Sequence, residues 1–273
     1  MIPSSACVEA MPGRITVQTI RRMKGKQLIV AITAYDANGA RHASEAGIDL
    51  ILVGDSVGNA VLGMPSTVSV TLEMIIHHTS AVVRAQPHSL VVADLPFAEA
   101  RYSMDHLLDS CRRLLQEARA DAVKLEGGIG IADSVANLVL AGIPVLGHIG
   151  LLPQRINDLG TYRRFGRNSS ERDHLIADAR ALEKAGAFAI VAEMVEAGTA
   201  KAIREAISVP LIGIGSGDDC DGQIRVVTDL LGLGHGKVPS FAKVYADLGK
   251  ATREALGAYA GDVRSSGPAG TSG

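Results

Sequence analysis

Residues 121–154 read DAVKLEGGIGIADSVANLVLAGIPVLGHIGLLPQ, and this stretch decides the fold. Its apolar run Ala122–Glu126 has the length and the Val/Leu content of a buried strand. Ile131–Leu140 carries apolar residues at helical spacing, and a second short run follows at Ile143–Gly147. Between the last two stands Ala141-Gly142, where glycine can take the left-handed conformation that ends a helix. Strand, helix and strand in succession form a crossover unit, and such units build parallel sheets.

Outward from this unit the alternation repeats. Further strand candidates are Leu28–Ala34, Asp49–Gly54, Leu90–Leu95, Phe188–Glu193 and Leu211–Gly215, with a weaker one at Ile224–Leu230, interrupted by Arg225 and Asp229. Helical spacing marks Ala37–Ala46, Thr71–Arg84, Met104–Ala118, Glu171–Ala185, Thr199–Ala206 and Phe241–Leu256. A (β/α)8 TIM barrel uses about 250 residues as one domain, and the chain has 273. The expectation is an α/β fold, a single-domain (β/α)8 barrel over residues 1–260, followed by a flexible tail at 261–273. Two connections after strands, Ser56–Val70 and His148–Ser170, are long. In a barrel they belong to the C-terminal face, where active sites are built, and are candidate lids.

Composition excludes other classes. The 27 Lys and Arg balance 29 Asp and Glu, aromatics make up 3% and Trp is absent, so the chain lacks the basic, aromatic footprint of a nucleic-acid binder. Cys7, Cys111 and Cys220 are too few and too scattered for a disulfide framework or a zinc site. The N-terminal sequence lacks a signal-peptide core, and no apolar run approaches the ~20 residues of a membrane span. A cytoplasmic protein without membrane or nucleic-acid partners is expected.

Charged residues fall at strand ends. Asp55 follows LILVG, Asp94 follows LVVA, Lys124 and Glu126 alternate in KLE, His148 follows IPVLG and Glu193 follows FAIVA. Taken singly, Asp55 or Ser56 in GDS would serve as a helix cap, Lys124 could pair with Glu126 on one strand face, and His148 and Glu193 could be satisfied structural groups. Taken together, four carboxylates and one Lys on one rim call for a cation or a ligand, because desolvating them unpaired is costly. Oxygen donors without Cys and with little His point to Mg²⁺ before Zn²⁺. The tract Ile212–Gly222 could cradle a phosphate, but Asp218, Asp219 and Asp221 argue against an anion there. His77-His78 is a weak metal motif, and the pairs Arg112-Arg113 and Arg163-Arg164 read as solvated surface.

With VGDS at Val53–Ser56, VTLEMIIHHTSAVVR at Val70–Arg84, ADLPF at Ala93–Phe97, AVKLEGG at Ala122–Gly128, GIPVLGHIGLLPQ at Gly142–Gln154, IGIGSG at Ile212–Gly217 and DGQ at Asp221–Gln223, the sequence resembles the ketopantoate hydroxymethyltransferase family. The resemblance implies a barrel of the phosphoenolpyruvate mutase and isocitrate lyase superfamily. It implies transfer of a hydroxymethyl group from 5,10-methylenetetrahydrofolate to 3-methyl-2-oxobutanoate, giving 2-dehydropantoate on the route to pantothenate and coenzyme A. Carried over by position, Asp55 and Asp94 become Mg²⁺ ligands, with Glu126 binding directly or through water. Ser56 and Lys124 hold the oxoacid, with Asp55 and Asp94 beside it, and Glu193 is the catalytic base. His148 is expected to steady the keto oxygen or a ligand carboxylate. The family also implies a homodecamer.

The chain departs from the family pattern in several places: Asn59-Ala60-Val61, Gly63-Met64-Pro65-Ser66-Thr67, Ser69, the AEARY turn at Ala98–Tyr102, Gly160-Thr161-Tyr162, and Arg225. These bear on folate contact and oxoacid choice rather than on the acidic set. Two other readings compete: an enolate enzyme for a different 2-oxoacid, such as a carbon–carbon lyase or aldol-type transferase, and a non-catalytic metabolite-binding paralogue. Lyases of the superfamily typically carry a Lys-Lys-Cys-Gly-His loop, and the sequence contains none.

Overall fold

In a computed structural model that describes residues 13–234 and 238–266, eight parallel strands close into a barrel in sequence order. They are β1 (Ile29–Thr33), β2 (Leu50–Val53), β3 (Leu90–Asp94), β4 (Ala122–Glu126), β5 (Val145–Gly150), β6 (Ala189–Glu193), β7 (Leu211–Ile214) and β8 (Gly222–Arg225). The (β/α)8 expectation is met. The helices are α1 (Val17–Met23), α2 (Ala37–Glu45), α3 (Val57–Ala60), α4 (Leu72–Arg84), α5 (Met104–Arg112), α6 (Ala132–Leu140), α7 (Ile156–Leu159), α8 (Ser169–Lys184), α9 (Ala197–Ala206), α10 (Val227–Leu230) and α11 (Leu248–Ser265).

Alternation along each strand explains where the charges lie. Leu90 and Val92, Ala122, Leu146, Ala189 and Val191, Ile212 and Ile224 share one buried cluster. Two residues further on, the same faces of β3, β4, β5 and β6 carry Asp94, Lys124, His148 and Glu193, since i and i+2 side chains point alike. The lower barrel is therefore aliphatic and its upper layer charged. The short helix α1, capped reciprocally by Thr16 and Thr19, adds Ile20 and Met23 to the aliphatic cluster. Seven residues with few apolar positions leave too weak a periodic signal to have been read from sequence.

Two expectations are corrected. The eighth strand is Gly222–Arg225, and Val227–Leu230 is helical; the polar Gln223 and Arg225 alternate with the inward Ile224, which masked a strand of four residues. No helix separates β7 from β8. Asp221, placed just before β8, accepts from Lys24 Nζ (2.8 Å), Arg204 Nε (2.8 Å) and the backbone N–H groups of Leu211 and Gly25. Its own carbonyl receives the Ile29 N–H. Asp221 thus joins β1, β7, β8 and α9 where the barrel closes. Last, Phe241–Leu256 is helical only from Leu248, with Asp247 capping Lys250.

The chain forms two compact units, one through Ile224 and one from Arg225. In the second, Tyr245 and Leu248 donate backbone hydrogen bonds to Leu230 and Leu231, and Arg225 lies 5.7 Å from the Phe241 ring centre. The anticipated boundary at 260–261 falls inside α11, and the part of the tail at 267–273 lies outside the described residues. Among those residues no helix is long and apolar enough to cross a membrane.

Candidate active site

Strand register brings the predicted residues together at the C-terminal rim. Asp94 pairs with Lys124 across β3 and β4, Glu126 with His148 across β4 and β5, and Gly150 with Glu193 across β5 and β6. Lys124 Nζ lies 2.8 Å from both Asp94 oxygens and 3.4 Å from Glu126 Oε1. The Asp55 backbone N–H donates to Asp94 Oδ2 at 3.2 Å. His148 spans two acids, with Nδ1 3.5 Å from Glu126 Oε1 and Nε2 3.3 Å from Glu193 Oε2. These are ion-pair distances whose geometry falls short of hydrogen bonding. Asp55, Asp94, Lys124, Glu126 and His148 are all buried, whereas the Glu193 side chain keeps 18% of its surface exposed and so meets the solvent side of the rim.

The cap reading of GDS fails. Ser56 occupies the N-cap position of α3 but makes no side-chain cap bond. Its hydroxyl instead shares a 2.8 Å hydrogen bond with the Tyr35 phenol, and Asp55 points into the charged cluster.

The electrostatics follow from burial. Desolvation, then repulsion from Asp94, raises the Asp55 carboxyl well above its ordinary range, with Lys124 opposing. Asp94 is also raised by burial, held back by Lys124. Glu126 overcomes its burial through Lys124 and His148 and is lowered. Burial disfavours the Lys124 ammonium, yet Asp94, Glu126 and Asp55 together raise its pKa. Burial and Lys124 oppose the His148 cation, but Glu126 and Glu193 hold it, and its pKa is pushed up to about 9. Four acids face two basic groups, and the shortfall of positive charge rests on Asp55.

The walls of the site include residues the sequence reading passed over. Gln154 donates from Nε2 to Asp55 Oδ2 (3.0 Å) and to the Leu95 carbonyl (2.9 Å), while its backbone N–H reaches Glu126 Oε2 (3.2 Å). His78 Nδ1 lies 2.7 Å from the Tyr35 carbonyl, so this His supports Tyr35. Met194, next to Glu193, has φ +51°, a left-handed conformation unusual for a non-glycine residue. Ser216 braces it, donating to the Ala192 carbonyl and accepting from the Val195 N–H. Arg164, expected on the surface, is half-buried and donates to the Gly215 carbonyl at 2.6 Å. Gln154 stands in the GHIGLLPQ motif, the signal that could have marked it. Ser216 and Arg164 depend on contacts across 24 and 51 residues, and no local pattern announces them.

The departing loops are internally held. Asn59 donates to the Met64 carbonyl at 2.9 Å. Glu99 accepts from Ser110 at 2.5 Å and lies 2.9 Å from His106, and Arg101 donates to the Gly130 carbonyl. Burial and the charges of Glu193, Asp55 and Glu126 raise the Tyr162 phenol, so the 160–162 loop lies within the field of the site.

A closed parallel barrel with carboxylates around a buried Lys at its strand ends defines the class: (β/α)8 proteins with an acidic centre on the C-terminal face. Residues 14–268 match the family model described as ketopantoate hydroxymethyltransferase, and the chain belongs to that family. It is 52% identical to a 3-methyl-2-oxobutanoate hydroxymethyltransferase of Chloroflexus aurantiacus, over 92% of this chain and 89% of the relative. It is 50% identical to that of Carboxydothermus hydrogenoformans, over 92% and 91%. In fold it resembles 2,3-dimethylmalate lyase, a PEP mutase/isocitrate lyase superfamily member, with a TM-score of 0.56 and 17% identity over 94% of this chain and 90% of that one. A phosphonopyruvate hydrolase complexed with oxalate and Mg²⁺ gives 0.59 at 16% identity, over 92% and 87%.

Proposed function

We propose that this protein transfers a hydroxymethyl group from 5,10-methylenetetrahydrofolate to 3-methyl-2-oxobutanoate, forming 2-dehydropantoate through an enolate. The observation that carries the reading is the buried cluster in which Lys124 meets Asp94 at 2.8 Å beside Asp55 and Glu126, in a chain about half identical to enzymes named for this reaction.

The donor set suits Mg²⁺. It offers oxygen ligands only, and burial leaves Asp55 short of positive charge. Among the described residues no three His, Cys, Asp or Glu side chains are already spaced as a complete metal site. Mg²⁺ needs none, since it takes one or two carboxylates and completes its shell with water and substrate oxygens. Asp55 and Asp94 would hold the ion, with Glu126 contacting it directly or through water. When bound, the ion supplies a Lewis acid that stabilises negative charge on the oxoacid oxygens.

The chain's own groups account for the other tasks. Lys124 and the Ser56 hydroxyl bind the oxoacid carboxylate, the Ser56 rotor being set by Tyr35. Glu193, the more exposed acid, takes the C3 proton, a contribution of about 10²–10⁴-fold. His148 holds Glu193 in place and donates toward the keto oxygen. The enolate carbon then forms a bond to the methylene carbon of the folate, whose two C–N bonds break, water supplies the hydroxyl oxygen, and tetrahydrofolate leaves. The protein acts as a cytoplasmic homodecamer, a state that light scattering checks.

The test is to incubate the protein with Mg²⁺ and 3-methyl-2-oxobutanoate in D₂O, follow C3 exchange by NMR, and then add methylenetetrahydrofolate. Exchange followed by dehydropantoate is expected. Exchange without product would retain the enolate site and reject the transfer.

A further inference from the structure

Gln154 makes three hydrogen bonds to the ends of three different strands. Its side-chain amide donates to Asp55 Oδ2 beyond β2 and to the Leu95 carbonyl beyond β3, and its backbone N–H donates to Glu126 Oε2 at the end of β4. It stands in a single 3₁₀ turn, Pro153–Arg155, opened by proline, and the turn Thr67–Ser69 of the β2–α4 connection packs against it. The loop after β5 thereby reaches across the mouth of the barrel and touches two of the three acids of the cation centre.

The donor types decide what these contacts do. Lys124 and the Asp55 N–H occupy the oxygens of Asp94, and Lys124 and Gln154 occupy those of Glu126. For the Asp55 carboxylate the side-chain amide of Gln154 is the only hydrogen-bond donor among the described residues. With Oδ2 tied, Oδ1 is the oxygen left free, and the carboxylate cannot rotate without breaking a charge-assisted bond. Both hydrogens of the amide are spent, one on Asp55 and one on Leu95, which also fixes which way the amide points. A carboxylate already oriented loses less freedom when it ligates a cation, and partners that orient ligands are commonly worth 10- to 100-fold in metal affinity.

We infer that Gln154 is a positioning residue: it presents Asp55 and Glu126 to the divalent cation and makes metal affinity depend on the seating of the β5 loop. This rests on the cation reading of the site given above. The loop then supplies a ligand-orienting group as well as a cover for the site.

The test uses Mn²⁺ as the probe. Free Mn²⁺ is followed by electron paramagnetic resonance as metal-free full-length protein is added, for the wild type, Gln154→Met and Gln154→Ala. Both variants keep the backbone N–H and lose the amide. The expected result is a Mn²⁺ Kd raised about 10- to 100-fold, with the metal-free unfolding temperature within a few degrees of wild type. A structural role alone would reverse that pattern, lowering the unfolding temperature and leaving Kd unchanged. Wild-type binding with both variants within threefold of it overturns the role of Gln154 and leaves the cation reading standing. Absence of Mn²⁺ binding by the wild type, with Asp55→Asn no different, overturns both.

Discussion

Replacing Asp221 by Asn tests how the barrel is closed. The carboxylate is wholly buried and meets Lys24 and Arg204, whose side chains stay 20% and 36% exposed. Removing one member of a fully buried ion pair costs about 3–5 kcal/mol. Here water recovers part of the solvation of both cations, and Asn retains one acceptor for the backbone donors, so the expected loss is about 2–3 kcal/mol. For a domain of this size 1 kcal/mol shifts Tm by roughly 2–4 °C, which makes the expected fall about 4–12 °C at neutral pH. The pH dependence fixes the cause. Burial alone would raise the Asp221 pKa, but the Leu211 N–H, Lys24 and Arg204 more than offset it, and the net shift is downward. A carboxyl with a depressed folded pKa stabilises above its unfolded value of about 3.9 and loses that contribution as pH falls toward the folded one. The Tm gap between wild type and Asp221→Asn should therefore be level from pH 6 to 8 and narrow below about pH 4. Circular-dichroism melts across that range decide the matter. A variant within 1 °C of wild type at pH 7, or a gap that widens in acid, refutes the argument.

Three further outcomes are expected. Glu193→Gln should cut C3 exchange by about 10²–10⁴-fold with oxoacid binding retained in calorimetry; unchanged exchange would assign the base elsewhere. Gly150 has φ +91°, and a Cβ there would sit 2.3 Å from the Glu193 carbonyl, so Gly150→Ala should lower both Tm and kcat by displacing the backbone of the base. Tyr35→Phe removes the 2.8 Å partner of Ser56 and should raise KM for the oxoacid several-fold with Tm nearly constant; a fall in kcat alone would speak against a binding role for Ser56.

Much of the site was legible because strands keep a period of two and charges at their ends are conspicuous. Lys124 and Glu126 share a face in any strand, whatever surrounds them. Errors arose where local pattern and tertiary use diverge. Arg164 looks like one of two surface arginines, yet the β5–α8 loop buries it against Gly215 and Val195. The GDS motif has the composition of a helix cap, but Tyr35 claims the Ser56 hydroxyl. Nothing local marks the role of Gly128, where a Cβ would strike Asp178, which accepts from the Ile129 N–H.

By itself the sequence determined the order of the first seven strands and of the longer helices between them, the aliphatic filling of the barrel and the placing of four acids and one Lys at the rim. These depend on periodicity and composition, which act over a few residues. Tertiary structure alone decided the partners: Lys124 with Asp94, His148 between Glu126 and Glu193, Gln154 on Asp55, and Asp221 at the seam. Each of these contacts joins groups far apart in the chain. They exist only because ring closure sets the stagger of all eight strands at once.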